Sequence, residues 1–191
     1  MRYFIIAITI LISGCGFKEL KPINYFSISK PTNLTVYNSY NNSSVKVAYP
    51  LSLDRALDYN MAFEYIGGNS GYYQNSQWIN PLNKLIRSNI IASLKKAKIF
   101  KDVLPIESSV LEDYRIEITV NSFKNIIQNN KSYALINLDI SLIDMSSRSI
   151  IKRKTFKYKE PSATLNAKGY ADAVNRAFKK LDKELILWLS R

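Results

Sequence analysis

Histidine is absent from all 191 residues, and cysteine occurs once, at Cys15. These two shortages remove Ser-His and Cys-His nucleophile pairs and the usual zinc ligand sets, because each needs an imidazole or several thiolates. A chain with one cysteine forms no intrachain disulfide, so its fold must be held by a hydrophobic core even in an oxidising compartment. Carboxylates are scarce as well: 15 Asp+Glu stand against 27 Lys+Arg, for a formal charge of +12. Long apolar runs are limited to Tyr3–Ile12, and no second run is long enough to span a bilayer. Glycine-rich phosphate chemistry is missing too. The stretch Gly67-Gly68-Asn69-Ser70-Gly71 has no following Gly-Lys-Ser/Thr and opens no helix, so it reads as a turn with positive-φ positions. A Ser–Lys or carboxylate pair would still permit catalysis. Glu112-Asp113, however, precedes a strand and reads as a solvated pair whose side chains point to opposite faces. The chain is therefore read as a non-enzyme with no cofactor and no metal site.

What the N-terminus does have is a short positive start, Met1-Arg2, then the apolar run, then Ile12-Ser13-Gly14-Cys15. This order resembles a bacterial lipobox, in which small residues admit a membrane peptidase and the cysteine thiol takes the diacylglycerol. The alternatives are an uncleaved anchor helix, or an ordinary signal peptide with an incidental thiol. At about 0.8 kcal/mol per buried methylene, several acyl chains on Cys15 make a permanent anchor. Gly16, where inner-membrane retention in enteric bacteria uses Asp, implies outer-membrane sorting with the domain facing the periplasm. The expected organisation is a cleaved lipoprotein signal peptide at 1–14, a lipidated tether at 15–24 and one α+β domain at 25–191. An exported protein does not normally meet nucleic acid, so the positive charge points to anionic lipid headgroups or an acidic protein surface. A Lys-, Asn- and Ile-rich codon bias is the competing explanation.

The mature chain reads as an antiparallel-rich sheet with two main helices packed on one face. Tyr25–Ile28 is a brief strand, Asn38–Ser44 a polar loop, and Val45–Tyr49 a strand stopped by Pro50. Met61–Ile66 and Tyr72–Gln74 form a hairpin about the glycine-rich turn. Asn80 as N-cap with Pro81 at the first helical position starts a helix whose apolar stripe is Leu82, Leu85, Ile86, Ile90, Leu94 and Ala97. Ile99–Leu104 is a short extended segment. Alternation over 114–121, 134–142 and 150–158 predicts an antiparallel meander with a solvated outer face. Tyr170, Val174, Ala177, Phe178, Leu181, Leu185 and Trp188 recur at spacings of three and four, predicting a long amphipathic helix on the inner face.

Cys15, Tyr25-Phe26-Ser27-Ile28, Val47-Ala48-Tyr49-Pro50-Leu51-Ser52-Leu53-Asp54-Arg55, Gln77-Trp78-Ile79-Asn80-Pro81-Leu82, Phe100-Lys101-Asp102-Val103 and Asp113-Tyr114-Arg115-Ile116 occur in that order before an alanine-rich last helix. In this respect the chain resembles the ABC-type transport auxiliary lipoprotein family. The resemblance implies a non-catalytic envelope component, partnered by an MCE-domain (mammalian-cell-entry) protein, that helps move lipid between the membranes of a Gram-negative envelope. It also implies a homo-oligomer if that partner forms a ring. A lipopolysaccharide-assembly lipoprotein and a purely structural envelope lipoprotein are the competing readings.

Three sets of residues are singled out. Cys15 is the lipidation site. The aromatic hairpin residues Phe63, Tyr65, Tyr72, Tyr73 and Trp78 are candidate partner contacts, because one small core cannot hide so many rings. Lys152, Arg153, Lys154, Lys157 and Lys159 with Lys179, Lys180 and Lys183 are candidate contacts for an anionic surface.

Overall fold

The computed structural model describes residues 21–52 and 57–191. Eight strands and two helices follow in the order β1 (Asn24–Phe26), β2 (Tyr40–Val47), β3 (Asn60–Tyr65), β4 (Ser70–Trp78), α1 (Leu82–Ala97), β5 (Phe100–Leu104), β6 (Tyr114–Gln128), β7 (Lys131–Asp144), β8 (Ser149–Ser162) and α2 (Ala167–Ser190). Alternating apolar positions make β6, β7 and β8 an antiparallel meander, as the sequence predicts, with β7 between the other two.

The centre of the sheet is β6, which is 15 residues and about 50 Å long at a strand's rise per residue. One edge pairs along its length with β7. The other edge is shared: Tyr114–Ile116 pair with β2, and Asn125–Ile127 pair with β3. Two branches therefore leave the same strand, β2–β5 at one end and β3–β4–β1 at the other. Four of the contacts, β1–β4, β2–β5, β2–β6 and β3–β6, are parallel, which alternation cannot reveal.

Both helices cover one face, as expected. Every residue of the α1 stripe is buried, as are Tyr170, Val174, Ala177, Phe178, Leu181 and Leu185 of α2. The outer face is polar: Asp139 accepts from Thr155 Oγ1 (2.6 Å) and Asn121 Nδ2 (2.8 Å). The segment after β1 crosses the helix pair and is fastened to it. Asn175 Oδ1 accepts from Ser29 N (2.7 Å), and Asn89 Nδ2 donates to the Ser29 carbonyl (3.1 Å).

Local expectations are corrected in α1, β2 and β6. Pro81, not Asn80, occupies the N-cap of α1, with extended ψ of 137° and no side-chain cap; the first free N–H groups are instead taken by carbonyls, Leu82 N donating to Asp58 (2.9 Å). The polar stretch from Tyr40 to Ser44 is strand, because β5 supplies partners for its backbone and Tyr40 stacks on Phe100 at 4.8 Å. The strand ends at Val47 rather than Tyr49. Strand β6 continues past Asn121 because a bulge between Val120 and Ser122 reverses the alternation, so that Phe123 is buried on the same face as Ile118 and Val120. Gly169 in the first turn of α2 lies so close to Thr164 that an added Cβ would sit 2.4 Å from its Oγ1.

Candidate functional site

The hairpin aromatics divide by burial. In β4 a bulge near Asn75, whose φ is +53°, shifts the register, so that Tyr73 and Trp78 face the same side despite an odd spacing. Trp78 is 1% exposed and packs on Phe123 and Tyr170 at 6.1 and 5.8 Å. It is a core residue and offers no surface to a partner, which corrects its place among the candidate contacts. Tyr73 is half-buried: its hydroxyl donates to the Leu165 carbonyl (2.9 Å), accepts from Asn125 Nδ2 (2.6 Å), and its pKa is raised by burial. It ties the hairpin to the loop before α2.

The exposed members are Tyr65 (49%) and Tyr72 (50%), joined by Ile66 (51%), which aromatic counting missed. Phe63 is half-buried, with Tyr65 and Tyr73 rings at 5.6 and 5.2 Å. A cleft of about 390 Å³ lies here, lined by Phe63, Tyr65, Ile66, Tyr73, Ile127 and Leu165 together with the polar Gln128, Asn129 and Asn130 at the β6–β7 turn. Three connections meet at this end: the β3–β4 turn, the β6–β7 turn and the β8–α2 loop. Their convergence is a tertiary fact with no signal in any one segment.

The basic set is divided, not clustered. Strand alternation turns Lys152 and Lys154 toward the helix side, where Lys152 Nζ donates to the Leu189 carbonyl at the C-terminus of α2 (3.2 Å) and Lys154 lies 4.9 Å from the Phe156 ring. Arg153, Lys157 and Lys159 take the outer face; Arg153 Nε donates to Ser141 Oγ (3.0 Å), and Lys159 lies 4.0 Å from the Tyr133 ring. Lys179 and Lys183 are exposed on α2, while Lys180 pairs with Glu160. No single anionic surface touches all of them.

The opposite end of β6 holds a strongly perturbed carboxylate. Glu112 is buried, contrary to the solvated reading, between Lys46 Nζ (2.9 Å) and the guanidinium of Arg115. Burial pushes its pKa up, but the hydrogen bonds from Lys46 and Arg115 outweigh it and hold the group at about 2. Lys46 also donates to the Ser108 carbonyl (2.9 Å), so the group fastens the β5–β6 loop to β2. Asp113 is exposed and accepts from Ser44 N and Oγ (2.7 and 2.9 Å). Both carboxylates have structural partners.

A family model described as the ABC-type transport auxiliary lipoprotein component matches residues 34–185. The chain belongs to this family. Membership makes it a lipoprotein-family envelope protein associated with transport, consistent with a non-enzyme. No curated protein matches it significantly. Among solved structures it is similar to XCC0632 from Xanthomonas campestris, of family model DUF330, at 18% identity over 88% of this chain and 94% of that one, with a TM-score of 0.76. It is also similar to a protein described only as uncharacterized (11% identity, 87% and 98% covered, TM-score 0.67). A further likeness is to the hypothetical protein CT253 from Chlamydia trachomatis (7%, 77% and 97%, TM-score 0.53). These likenesses establish a shared fold. Cys15, the leader and Asp54-Arg55 lie outside the described residues.

Proposed function

We propose that the protein is a lipid-anchored, non-catalytic auxiliary component of an ABC-type lipid transport system, held in the outer membrane through Cys15 with its domain in the periplasm. Its partner is the MCE-domain protein of that transporter, and it works as a homo-oligomer where the partner is a ring. The observation that carries this is Cys15 ending an apolar leader in a chain whose family is the transport auxiliary lipoprotein. The anchor keeps the domain at one membrane, and a lasting attachment needs more than one acyl chain.

Two measurements test it. Mass spectrometry of the mature N-terminus is expected to find acylated Cys15, and Cys15→Ala is expected to leave the precursor unprocessed; an unmodified thiol refutes the anchor. Co-purification from the envelope is expected to recover an MCE-domain protein. Recovery of an outer-membrane β-barrel would favour lipopolysaccharide assembly, and recovery of nothing would favour a structural role.

A further inference from the structure

We infer that the end of the molecule bearing Tyr65, Ile66, Tyr72 and Leu165 rests on the membrane that holds the lipid anchor, so that the β3–β4 turn is a second, interfacial membrane contact. This rests on the Cys15 anchor proposed above. It reassigns the hairpin from a protein partner to a lipid surface.

The first observation is where the chain enters the domain. β1 runs parallel to β4, with Asn24 opposite Ser76 and Phe26 opposite Trp78, and β4 itself starts at the β3–β4 turn. The chain therefore arrives at β1 from the turn side. Asn24 lies nine positions after Cys15, a reach of about 30 Å at most. Ser70 lies opposite Glu64 and Gln77 opposite Asn60, so with the bulge the stretch from Ser70 to Ser76 covers only about 13 Å of sheet. A taut tether thus ends within about 20 Å of Ser70, on the turn side. To bring the opposite end of β6 to the membrane, the same tether would have to reverse direction. The exit is also fixed in place, because the segment following β1 is bonded to both helices through Asn89 and Asn175.

The second observation is the chemistry of this end. Tyr65, Ile66, Tyr72 and Leu165 are all substantially exposed. Tyrosine and aliphatic side chains suit the headgroup boundary, where the ring body is apolar and the hydroxyl stays wet.

The third is charge. The carboxylates near this end, Glu64, Glu160 and Asp172, are each paired with a lysine: Lys124, Lys180 and Lys168. Lys21 and Lys131 are exposed here. Asp102, Glu107, Asp113 and Asp144 lie at the other end of the sheet, near the β2–β5 branch and the β7–β8 turn. Among the described residues, the carboxylates at the aromatic end are thus all paired, so anionic headgroups can approach it closely.

The test uses the full, lipidated protein in phosphatidylethanolamine–phosphatidylglycerol vesicles carrying nitroxide lipids. A fluorophore is placed through Ile66→Cys or Tyr72→Cys at the hairpin, and through Ser147→Cys at the opposite end; the native Cys15 sulfur is blocked by its lipid. Quenching is expected to be several-fold greater at positions 66 and 72 than at 147. Equal quenching at both ends, with the protein still floating with the vesicles, overturns the proposal and leaves the hairpin to a protein partner. Failure of the unlabelled protein to float overturns the anchor itself, and with it this orientation.

Discussion

Replacing Glu112 with Gln keeps the shape of the side chain and removes its charge, leaving Lys46, itself only 6% exposed, without its counter-ion. Breaking a buried ion pair from one side costs about 3–5 kcal/mol. Arg115 is more than a third exposed at its side chain, and water screens that arm of the group, so the expected loss is about 2–4 kcal/mol. The pH dependence gives an independent handle. Glu112 is held at about 2 in the folded protein against an ordinary value of 4.5. Its folded pKa is depressed, so its contribution is fully present above about pH 4.5 and is lost as pH falls through 2. At 1.36 kcal/mol per unit the ceiling is about 3 kcal/mol, and screening through Arg115 lowers the expectation to about 1–3. Urea melts of wild type and Glu112→Gln across this window measure both quantities, and the variant should lack that part of the acid limb. Adding Lys46→Met to Glu112→Gln should recover stability by removing the orphaned charge. A loss below about 0.5 kcal/mol with an unchanged acid limb would refute the reasoning and make the group a surface ion pair.

Asp182 behaves with the opposite sign. It is buried between the helices, accepts from Ser93 Oγ (2.8 Å), and desolvation raises its pKa to about 6. Stability should therefore fall as pH rises from about 4 through 6, and Asp182→Asn should flatten that slope and gain about 1–3 kcal/mol at neutral pH; an unchanged slope in the variant would count against it. Phe178, buried against Phe123 at 6.2 Å, should lose about 3–5 kcal/mol on change to Ala in denaturant melts, and a loss under about 1 would put the wrong face of α2 on the sheet. Tyr73→Phe should lower stability by about 1–2 kcal/mol, because it leaves Asn125 and the Leu165 carbonyl without the shared hydroxyl, whereas Tyr72→Ala should change the melting temperature little.

The amino-acid sequence by itself determined the elements whose residues repeat with a physical period. The stripes of α1 and α2 and the alternation in β7 and β8 are local consequences of burying one face, so they can be read without knowing the partner that covers it. It also carried the apolar run that ends at Cys15, a pattern that depends on neighbouring residues only. The tertiary structure decided what depends on pairing. Tyr40–Ser44 is too polar to announce a strand, and becomes one because β5 lies beside it. The bulges near Asn121 and Asn75 reverse the alternation, so Phe123 and Trp78 become buried where an uninterrupted pleat would have turned them outward. Lys46, Glu112 and Arg115 lie on a strand, a loop end and another strand, and only the parallel β2–β6 pairing brings them together. The same holds for the aromatic end, since the direction of β1 along β4 fixes from which side the chain enters β1. A parallel pair leaves no periodic trace to distinguish it from an antiparallel one, so that direction appears only when the strands are laid side by side.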